Sequence, residues 1–168
     1  AYPPAPQTAL AHKCAARSLD NLERYLDSPL HGPSVDAFGE ARERLARLAG
    51  GDHVPLILDS GCGTGRSACA LARRHPDCVV LGVDRSLARL SKQPVTADDA
   101  PSNALLVRAE LATFWRLLLA QRSADQLTAT CVGQHHLLYP NPCPKPARLS
   151  RRWHGHPSLP VLLSRGGS

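Results

Sequence analysis

Short, mostly apolar runs alternate with helix-like segments along the central part of the chain. Three such runs cover residues 55–59, 78–84 and 104–107. Continuous apolar strands are typical of a parallel sheet that is buried on both faces. Segments with a helical spacing of apolar positions follow the three runs, at residues 66–74, 85–90 and 111–121. The alternation predicts an α/β fold with a Rossmann-like, doubly wound parallel sheet. Residues 128–132 lead to residues 136–139, which predicts a fourth strand, either continuous or in two pieces.

The N-terminal part of the chain has the periodicity of helices. A short helix is predicted over residues 18–26 with Ser18 as its N-cap, and a second helix follows Ser34 and ends at Gly50 and Gly51. The apolar faces of the two helices would contain Leu19, Leu22 and Leu26 in the first and Phe38, Ala41, Leu45 and Leu48 in the second. We therefore expect a helical extension over residues 1–52 and the α/β domain over residues 53–168.

The composition is that of one globular domain, with 43% hydrophobic and 20% charged residues in 168. No apolar run approaches the roughly 20 residues of a membrane span, and the N-terminus lacks a signal-peptide pattern, so we expect a soluble, cytoplasmic protein. The six cysteines contain no Cys-x-x-Cys pair, which favours buried free thiols over a zinc or redox site. The lack of methionine and the Arg-Gly-Gly-Ser end suggest a fragment of a longer protein.

The net charge of +6 is unevenly distributed. Residues 1–84 carry nine Lys and Arg against ten Asp and Glu, whereas residues 85–168 carry eleven against four. From Gln126 onward there is no acidic residue at all. This asymmetry indicates a polyanionic partner, of which nucleic acid is the most common kind.

A glycine-rich loop joins the first predicted strand to the helix that follows it. Asp59 precedes the loop, whose glycines are Gly61, Gly63 and Gly65, and Asp84 ends the next strand 19 residues after the last of them. Glycines at this point permit a tight turn and the close approach of a ligand, and an acid at the second strand end can accept hydrogen bonds from ribose hydroxyls. A glycine turn without a ligand is the alternative.

The spacing of the loop distinguishes between two cofactor classes. Dinucleotide sites favour Gly-x-Gly-x-x-Gly, whereas this loop is Gly-x-Gly-x-Gly with Arg66 at the place of the third glycine. The carboxylate of Asp59 would repel a pyrophosphate but suits the amino group of a methionine moiety. S-adenosylmethionine therefore fits better than NAD. Glu110, just after the third strand, is expected near the adenine amine; alternatively it interacts with the dipole of the helix that it begins.

Four segments together resemble the bacterial tRNA (guanine-N7-)-methyltransferase family, from about the second helix to the C-terminus. The most specific is residues 139–145, Tyr-Pro-Asn-Pro-Cys-Pro-Lys, with Arg-Arg-Trp-His-Gly-His-Pro at residues 151–157. The other three are the glycine loop at 58–65, Leu-Gly-Val-Asp-Arg-Ser-Leu at 81–87 and Phe-Trp-Arg-Leu at 114–117. In the family the proline-rich loop is commonly Pro-Asp-Pro-Trp-Pro-Lys, so Asn141 stands in the place of an aspartate. Cys143 and Arg148 replace a tryptophan and a frequent histidine.

The resemblance implies a class I methyltransferase fold that lacks its last strands. It implies transfer of a methyl group from S-adenosylmethionine to guanine N7 in tRNA, with Asn141 at the target guanine. The residues expected to contact tRNA phosphates are Lys145, Arg148, Arg151 and Arg152. The protein would be a monomer or a homodimer.

Two other functions stay open, a catalytically impaired fragment that binds S-adenosylmethionine or RNA and, less favoured, an NAD(P)-dependent oxidoreductase. We expect no metal site, because the histidine pairs at 135–136 and 154–156 have no nearby cysteine or acid. Trp115 and Phe114 are expected in the core. Trp153 is expected to pack there as well, rather than to stack on a base.

Overall fold

The computed structural model describes residues 16–50, 54–92, 99–123, 132–138 and 156–163. The helices, in chain order, are α1 (Leu22–Asp27), α2 (Gly32–Ala49), α3 (Arg66–Arg74), α4 (Leu87–Leu90), α5 (Leu111–Ser123) and α6 (Leu159–Leu163). The strands are β1 (Leu56–Ser60), β2 (Val79–Asp84), β3 (Ala104–Arg108) and β4 (Val132–His136). Strands and helices alternate from β1 to β4, which confirms the predicted α/β class.

The four strands form one parallel sheet in the order β3-β2-β1-β4. The chain adds β2 and β3 on one side of β1 and then crosses to place β4 on the other side. In open α/β sheets a ligand binds where the strand order reverses, at the carboxyl ends of the strands. The order reverses here at β1, whose neighbours in the sheet are β2 and β4. Leu58 pairs with His135 and Asp59 pairs with His136 at the carboxyl ends of β1 and β4.

The two faces of the sheet are covered by different helices. On one face, Ile57 and Val80 pack with Ala68 and Ala72 of α3 in a buried cluster that also contains Leu90. On the other face, the rings of Phe38 in α2 and Phe114 in α5 meet edge to face with centroids 4.9 Å apart. β1 and β2 are buried along their whole length because both faces are covered. This is the reason for their continuous apolar sequence.

Helix α2 buries nearly the face that its periodicity predicts. Phe38, Ala41 and Leu45 are buried, and the helix ends at Gly50, whose φ of +62° is left-handed. Leu48 is 43% exposed, however, and Ala49 is buried in its place. The prediction for Leu48 is therefore wrong by one position, because the buried stripe shifts at the last turn of the helix.

The chain forms two compact units, Leu30–Leu138 with the sheet, and Ala1–Pro29 with Tyr139–Ser168. In the second unit Ser18 is not an N-cap, because residues 16–20 are already helical. Ser18 is buried, and its hydroxyl donates to the carbonyl oxygen of His156 at 2.6 Å. Leu19 is 60% exposed, so the predicted apolar face is also wrong there. The expected domain boundary after residue 52 stays a prediction.

Candidate cofactor site

The loop between β1 and α3 is held in an unusual backbone conformation. Gly61, Gly63 and Gly65 have φ values of +77°, +61° and +81°, in the left-handed region that side chains with a Cβ rarely adopt. The amides of Gly61 and Cys62 donate to the carbonyl oxygen of Val83 at 2.7 and 3.2 Å. These bonds fasten the loop to the end of β2, so the loop has a fixed shape.

The surroundings of the three glycines differ. A Cβ on Gly65 would come too close to the side chain of Leu106 on β3, which would have to move, whereas a Cβ on Gly61 or Gly63 would meet none of the described residues within 4 Å. Packing against Leu106 therefore favours glycine at position 65 in addition to its backbone conformation. Within the described part of the chain, Gly61 and Gly63 border open space at the carboxyl edge of the sheet, where a ligand can approach the backbone.

Asp84 connects the end of β2 to the glycine loop. The side chain is 4% exposed, and Oδ2 accepts the amide of Gly63 at 3.0 Å while Oδ1 accepts the amide of Ser86 at 2.8 Å. Arg89 adds an ion pair at 3.8 Å. A carboxylate has about four lone-pair sites. Asp84 can thus hold the loop and still accept hydrogen bonds from a ribose.

Asp59 is the buried acid of the site. Its side chain is 1% exposed, and burial raises the pKa of the carboxyl above its usual value of 3.8. A hydrogen bond from the hydroxyl of Ser67 at 2.5 Å and the positive charge of His136 act against this rise in pKa. Within the described ranges, no cationic group lies within ion-pair distance of Asp59. A buried carboxylate that forms no ion pair with a described residue suits a cationic ligand group.

Cys62 lies at the tip of the same loop and adds no charge to it. Burial, together with the nearby carboxylates of Asp59 and Asp84, raises the pKa of the thiol to about 12. The thiol is therefore neutral near pH 7. Cys62, Cys69 and Cys78 are free cysteines, as expected for these three.

Glu110 begins helix α5 and caps it. Its Oε1 and Oε2 accept the amides of Ala112 and Thr113 at 2.9 and 2.7 Å, and its own amide donates to Ser34 at 2.8 Å. The alternative interpretation, interaction with the helix N-terminus, thus describes the contacts of this carboxylate. Its role at an adenine stays a prediction.

A buried polar cluster, which the sequence did not reveal, joins β1, β4 and α5. The indole N–H of Trp115 donates to Oγ of Ser60 at 3.0 Å, and this hydroxyl lies 2.8 Å from Nε2 of His135. The rings of Trp115 and His135 meet edge to face at 5.8 Å. Trp115 and Phe114 are fully buried, which confirms their predicted core positions. The cluster fixes the carboxyl end of β4 beside the residue that precedes the glycine loop.

The structure brings together Asp59, Gly61, Gly63, Gly65 and Asp84 at the carboxyl ends of β1 and β2. The residues predicted to contact the target guanine or the tRNA phosphates lie outside the described part of the chain: Asn141, Lys145, Arg148, Arg151 and Arg152. Cys143 and Trp153 also lie outside it. Among the described residues, no three His, Cys, Asp or Glu side chains form a possible metal site. No helix in the described part of the chain is long and apolar enough to cross a membrane.

The chain is similar to known methyltransferases. The chain is 32% identical over 155 residues to a tRNA (guanine-N(7)-)-methyltransferase of Rubrobacter xylanophilus, a match that covers 89% of this chain. A protein of the same name from Mycobacterium ulcerans is 34% identical over 122 residues, 71% of this chain. The chain spans 58% of the length of the first relative and 41% of the second.

Other methyltransferases also match shorter parts of the chain. A release factor glutamine methyltransferase of Escherichia coli is 36% identical over 76 residues, which is 45% of this chain and 27% of that protein. The family model described as "Methyltransferase domain" matches residues 57–148, more than half of the chain. Those residues run from β1 through the glycine loop and the four-stranded parallel sheet. This chain belongs to the methyltransferase domain family, with the class I, Rossmann-like fold.

Proposed function

We propose that this chain binds S-adenosylmethionine at the carboxyl edge of β1 and β2 and transfers its methyl group to N7 of a guanine in tRNA. The observation that carries the proposal is the similarity to the Rubrobacter tRNA (guanine-N(7)-)-methyltransferase over 89% of this chain. The open space that Gly61 and Gly63 border among the described residues, and the buried acids Asp59 and Asp84 at the ends of β1 and β2, support the cofactor half of the proposal.

The residues of the site suit the chemical parts of S-adenosylmethionine. The buried carboxylate of Asp59 is suited to the ammonium group of the methionine part, and Asp84 to the ribose hydroxyls. Glu110 has lone pairs left for the exocyclic amine of adenine beside those used at the helix end. A pyrophosphate, in contrast, would approach two buried carboxylates, which disfavours NAD(P). When bound, S-adenosylmethionine supplies an electrophilic methyl group on a sulfonium ion.

Methyl transfer depends on the alignment of the reacting atoms rather than on proton transfer. Guanine N7 already has a lone pair in the plane of the base, so no general base is needed. The protein has to hold N7, the methyl carbon and sulfur in line. Asn141 follows the end of β4 by five residues and is proposed to hold the edge of the guanine. Lys145, Arg148, Arg151 and Arg152 are proposed to contact tRNA phosphates.

One observation favours a second function, binding of S-adenosylmethionine and RNA without methyl transfer. The proline-rich loop has Asn141 and Cys143 at the places where the family that it resembles commonly has an aspartate and a tryptophan. An amide at position 141 brings no negative charge to the cationic product of methyl transfer.

The deciding experiment measures binding and transfer separately. Calorimetric titration with S-adenosylmethionine, with Asp84→Ala as control, tests the cofactor site. Methyl transfer to unmodified tRNA is then compared with transfer to a transcript that carries 7-deazaguanosine, in which N7 is replaced by a C–H group. We expect transfer to the normal transcript alone. Binding without transfer to either transcript would support the second function, and equal transfer to both would overturn N7 as the target.

A further inference from the structure

A cavity of about 310 Å³ lies in the unit formed by Ala1–Pro29 and Tyr139–Ser168. It lies between the N-terminal helical segment and the turn that precedes α6. The described residues that line it combine two guanidinium groups, two aromatic rings and small polar side chains: Arg17, Asn21, Arg24, Tyr25, Ser28, His156 and Pro157. None of these residues belongs to the cofactor site.

His156 is fixed in this cavity by buried serines. Its carbonyl oxygen accepts the hydroxyl of Ser18 at 2.6 Å, and its Nδ1 accepts the amide of Ser158 at 3.2 Å. Both serines have 0% exposure. Because Nδ1 acts as an acceptor, the neutral ring carries its proton on Nε2. The ring also meets Tyr25 edge to face with centroids 5.9 Å apart. The two rings are therefore held in one arrangement before any ligand binds.

The guanidinium groups of the two arginines in the cavity are accessible to an anionic ligand. Arg17 and Arg24 are exposed, and among the described residues no carboxylate lies within ion-pair distance of either. Guanidinium groups bind phosphate through paired hydrogen bonds, and aromatic rings stack on nucleobases. The side chains of Asn21 and Ser28 hold the helix backbone beside the cavity, since Nδ2 of Asn21 donates to the carbonyl oxygen of Arg17 at 2.8 Å and the hydroxyl of Ser28 donates to the carbonyl oxygen of Tyr25 at 2.6 Å.

We propose that this cavity holds one nucleotide of an RNA strand, with its phosphates at Arg17 and Arg24 and its base against Tyr25 and His156. The proposal rests on the proposed function, because that function makes tRNA the partner. The sequence around the cavity favours RNA over a free nucleotide. Arg151 and Arg152 precede His156 by only a few residues, and no acidic residue follows Gln126.

The acidic side chains near the cavity limit its extent. Asp20, Glu23 and Asp27 line a neighbouring cavity that shares Arg24 and Ser28 with the first. Their charges would repel further phosphates on that side of Arg24. The RNA strand is therefore expected to leave the cavity on the side of Arg17, and removal of one of these acidic charges should strengthen binding.

The test measures the binding of unmodified tRNA by fluorescence anisotropy at several salt concentrations. The double variant Arg17→Gln/Arg24→Gln should bind at least tenfold more weakly, and its salt slope should fall by about two, one for each phosphate contact. The matched control is Arg44→Gln/Arg47→Gln, which removes the same charge from exposed positions of α2. Tyr25→Leu should weaken binding about tenfold, Tyr25→Phe should retain most of it, and Asp27→Asn should strengthen it.

The outcomes separate this proposal from the proposed function. If the Arg17/Arg24 variant binds tRNA with the affinity and salt slope of the Arg44/Arg47 control, the cavity is not an RNA site, whether or not the chain transfers methyl groups. If only the cavity variants lose tRNA while the wild-type chain transfers no methyl group, the RNA site stands and the transfer reaction fails. Competition by free guanosine monophosphate at concentrations near the tRNA dissociation constant would overturn an RNA strand as the ligand.

Discussion

Glycines with the same backbone conformation serve different purposes in this chain. Gly50 at the end of α2 and Gly63 in the cofactor loop have φ values of +62° and +61°, and a Cβ on either would meet none of the described residues within 4 Å. At position 50, glycine is needed only for the left-handed conformation that ends the helix. Gly63 also borders the proposed ligand space and donates its amide to Asp84. The pair separates the cost of backbone strain from the cost of a blocked ligand.

We predict that Gly63→Ala and Gly50→Ala lose similar stability but differ in cofactor affinity. Each places a Cβ in the left-handed region, which costs about 1–2 kcal/mol. Only Gly63→Ala should weaken the binding of S-adenosylmethionine, by at least tenfold, because its methyl group occupies the space beside the loop. Chemical denaturation and calorimetric titration measure the two quantities. Equal affinity of the two variants would show that no ligand approaches Gly63.

The buried charge of Asp59 costs stability and is predicted to serve binding. Burial raises its pKa in the folded chain above the usual 3.8, so the folded state holds the proton more tightly than the unfolded state. The contribution of this proton to stability is complete below pH 3.8 and is lost as the pH rises through the folded pKa.

Asp59→Asn should therefore be more stable than the wild type at pH 7 and should lose that advantage at acidic pH. The amide oxygen of asparagine can still accept the hydrogen bond from Ser67. The affinity for S-adenosylmethionine should fall about tenfold or more, since a hydrogen bond to a charged group contributes about 1.5–3 kcal/mol. Urea denaturation across pH 4–7 and calorimetry test both parts. A variant that is less stable at pH 7 and binds normally would contradict this role.

A further prediction concerns Asn141, which is proposed to hold the edge of the target guanine. An amide can accept a hydrogen bond from the guanine edge but adds no negative charge beside the cationic product. Asn141→Asp should therefore preserve or raise the rate of methyl transfer to tRNA, and Asn141→Leu should lower it. Single-turnover assays at saturating S-adenosylmethionine give these rates. A large loss of rate in Asn141→Asp would contradict the proposed position of this residue.

At the scale of elements, the strands of the sheet differ in how well the sequence predicts them. The sequence predicts β1, β2 and β3 almost at their observed bounds. β1 and β2 are apolar because both of their faces are covered, and β3 is apolar at residues 104–107 although only alternate residues are buried. β4 was harder to locate, because Gly133, Gln134 and His135 have little intrinsic strand propensity. Its strand conformation comes from pairing with β1, which lies far away in the sequence. The contact of Ser60 with His135 was unpredictable for the same reason.

The cofactor loop was predictable as a motif, and its internal contacts were not. The spacing of Gly61, Gly63 and Gly65 before a helix identified the loop and the acid at the end of the next strand. That Asp84 accepts the amide of Gly63 depends on side-chain positions that no sequence period encodes. The contact of Glu110 with the start of α5, in contrast, was one of the two alternatives that its position suggested. The carboxylate of Asp84 therefore holds the glycine loop in place and is also proposed to accept hydrogen bonds from the cofactor.

The Ser60–Trp115–His135 cluster should be energetically coupled. Trp115→Phe keeps most of the ring packing but removes the N–H that donates to Ser60, and Ser60→Ala removes the acceptor. Each single change should cost about 0.5–1.5 kcal/mol of unfolding free energy, because it removes a hydrogen bond from this buried cluster. A double-mutant cycle should give a coupling of about 1 kcal/mol. A coupling near zero would mean that Trp115 contributes only by packing.

At the scale of the whole molecule, the two proposed ligands belong to different units. The cofactor residues Asp59, Gly63 and Asp84 all lie in Leu30–Leu138, whereas the proposed nucleotide cavity lies in Ala1–Pro29 with Tyr139–Ser168. A ligand stabilises the part of the native structure that it contacts, because it binds that part only when it is folded. Each ligand should therefore protect its own unit against local opening.

Hydrogen exchange measured by mass spectrometry tests this division. At about 100 times its dissociation constant, S-adenosylmethionine should stabilise the glycine loop and the adjoining strand ends by about 2.7 kcal/mol against local opening, and so slow exchange there about 100-fold. It should leave residues 16–28 and 156–163 unchanged. Unmodified tRNA should protect residues 16–28 and 156–163, and this protection should vanish in Arg17→Gln/Arg24→Gln while that by S-adenosylmethionine persists. If tRNA protects the sheet unit alone, the nucleotide cavity is not where the RNA binds; if S-adenosylmethionine leaves residues 61–65 unprotected, the glycine loop is not where the cofactor binds.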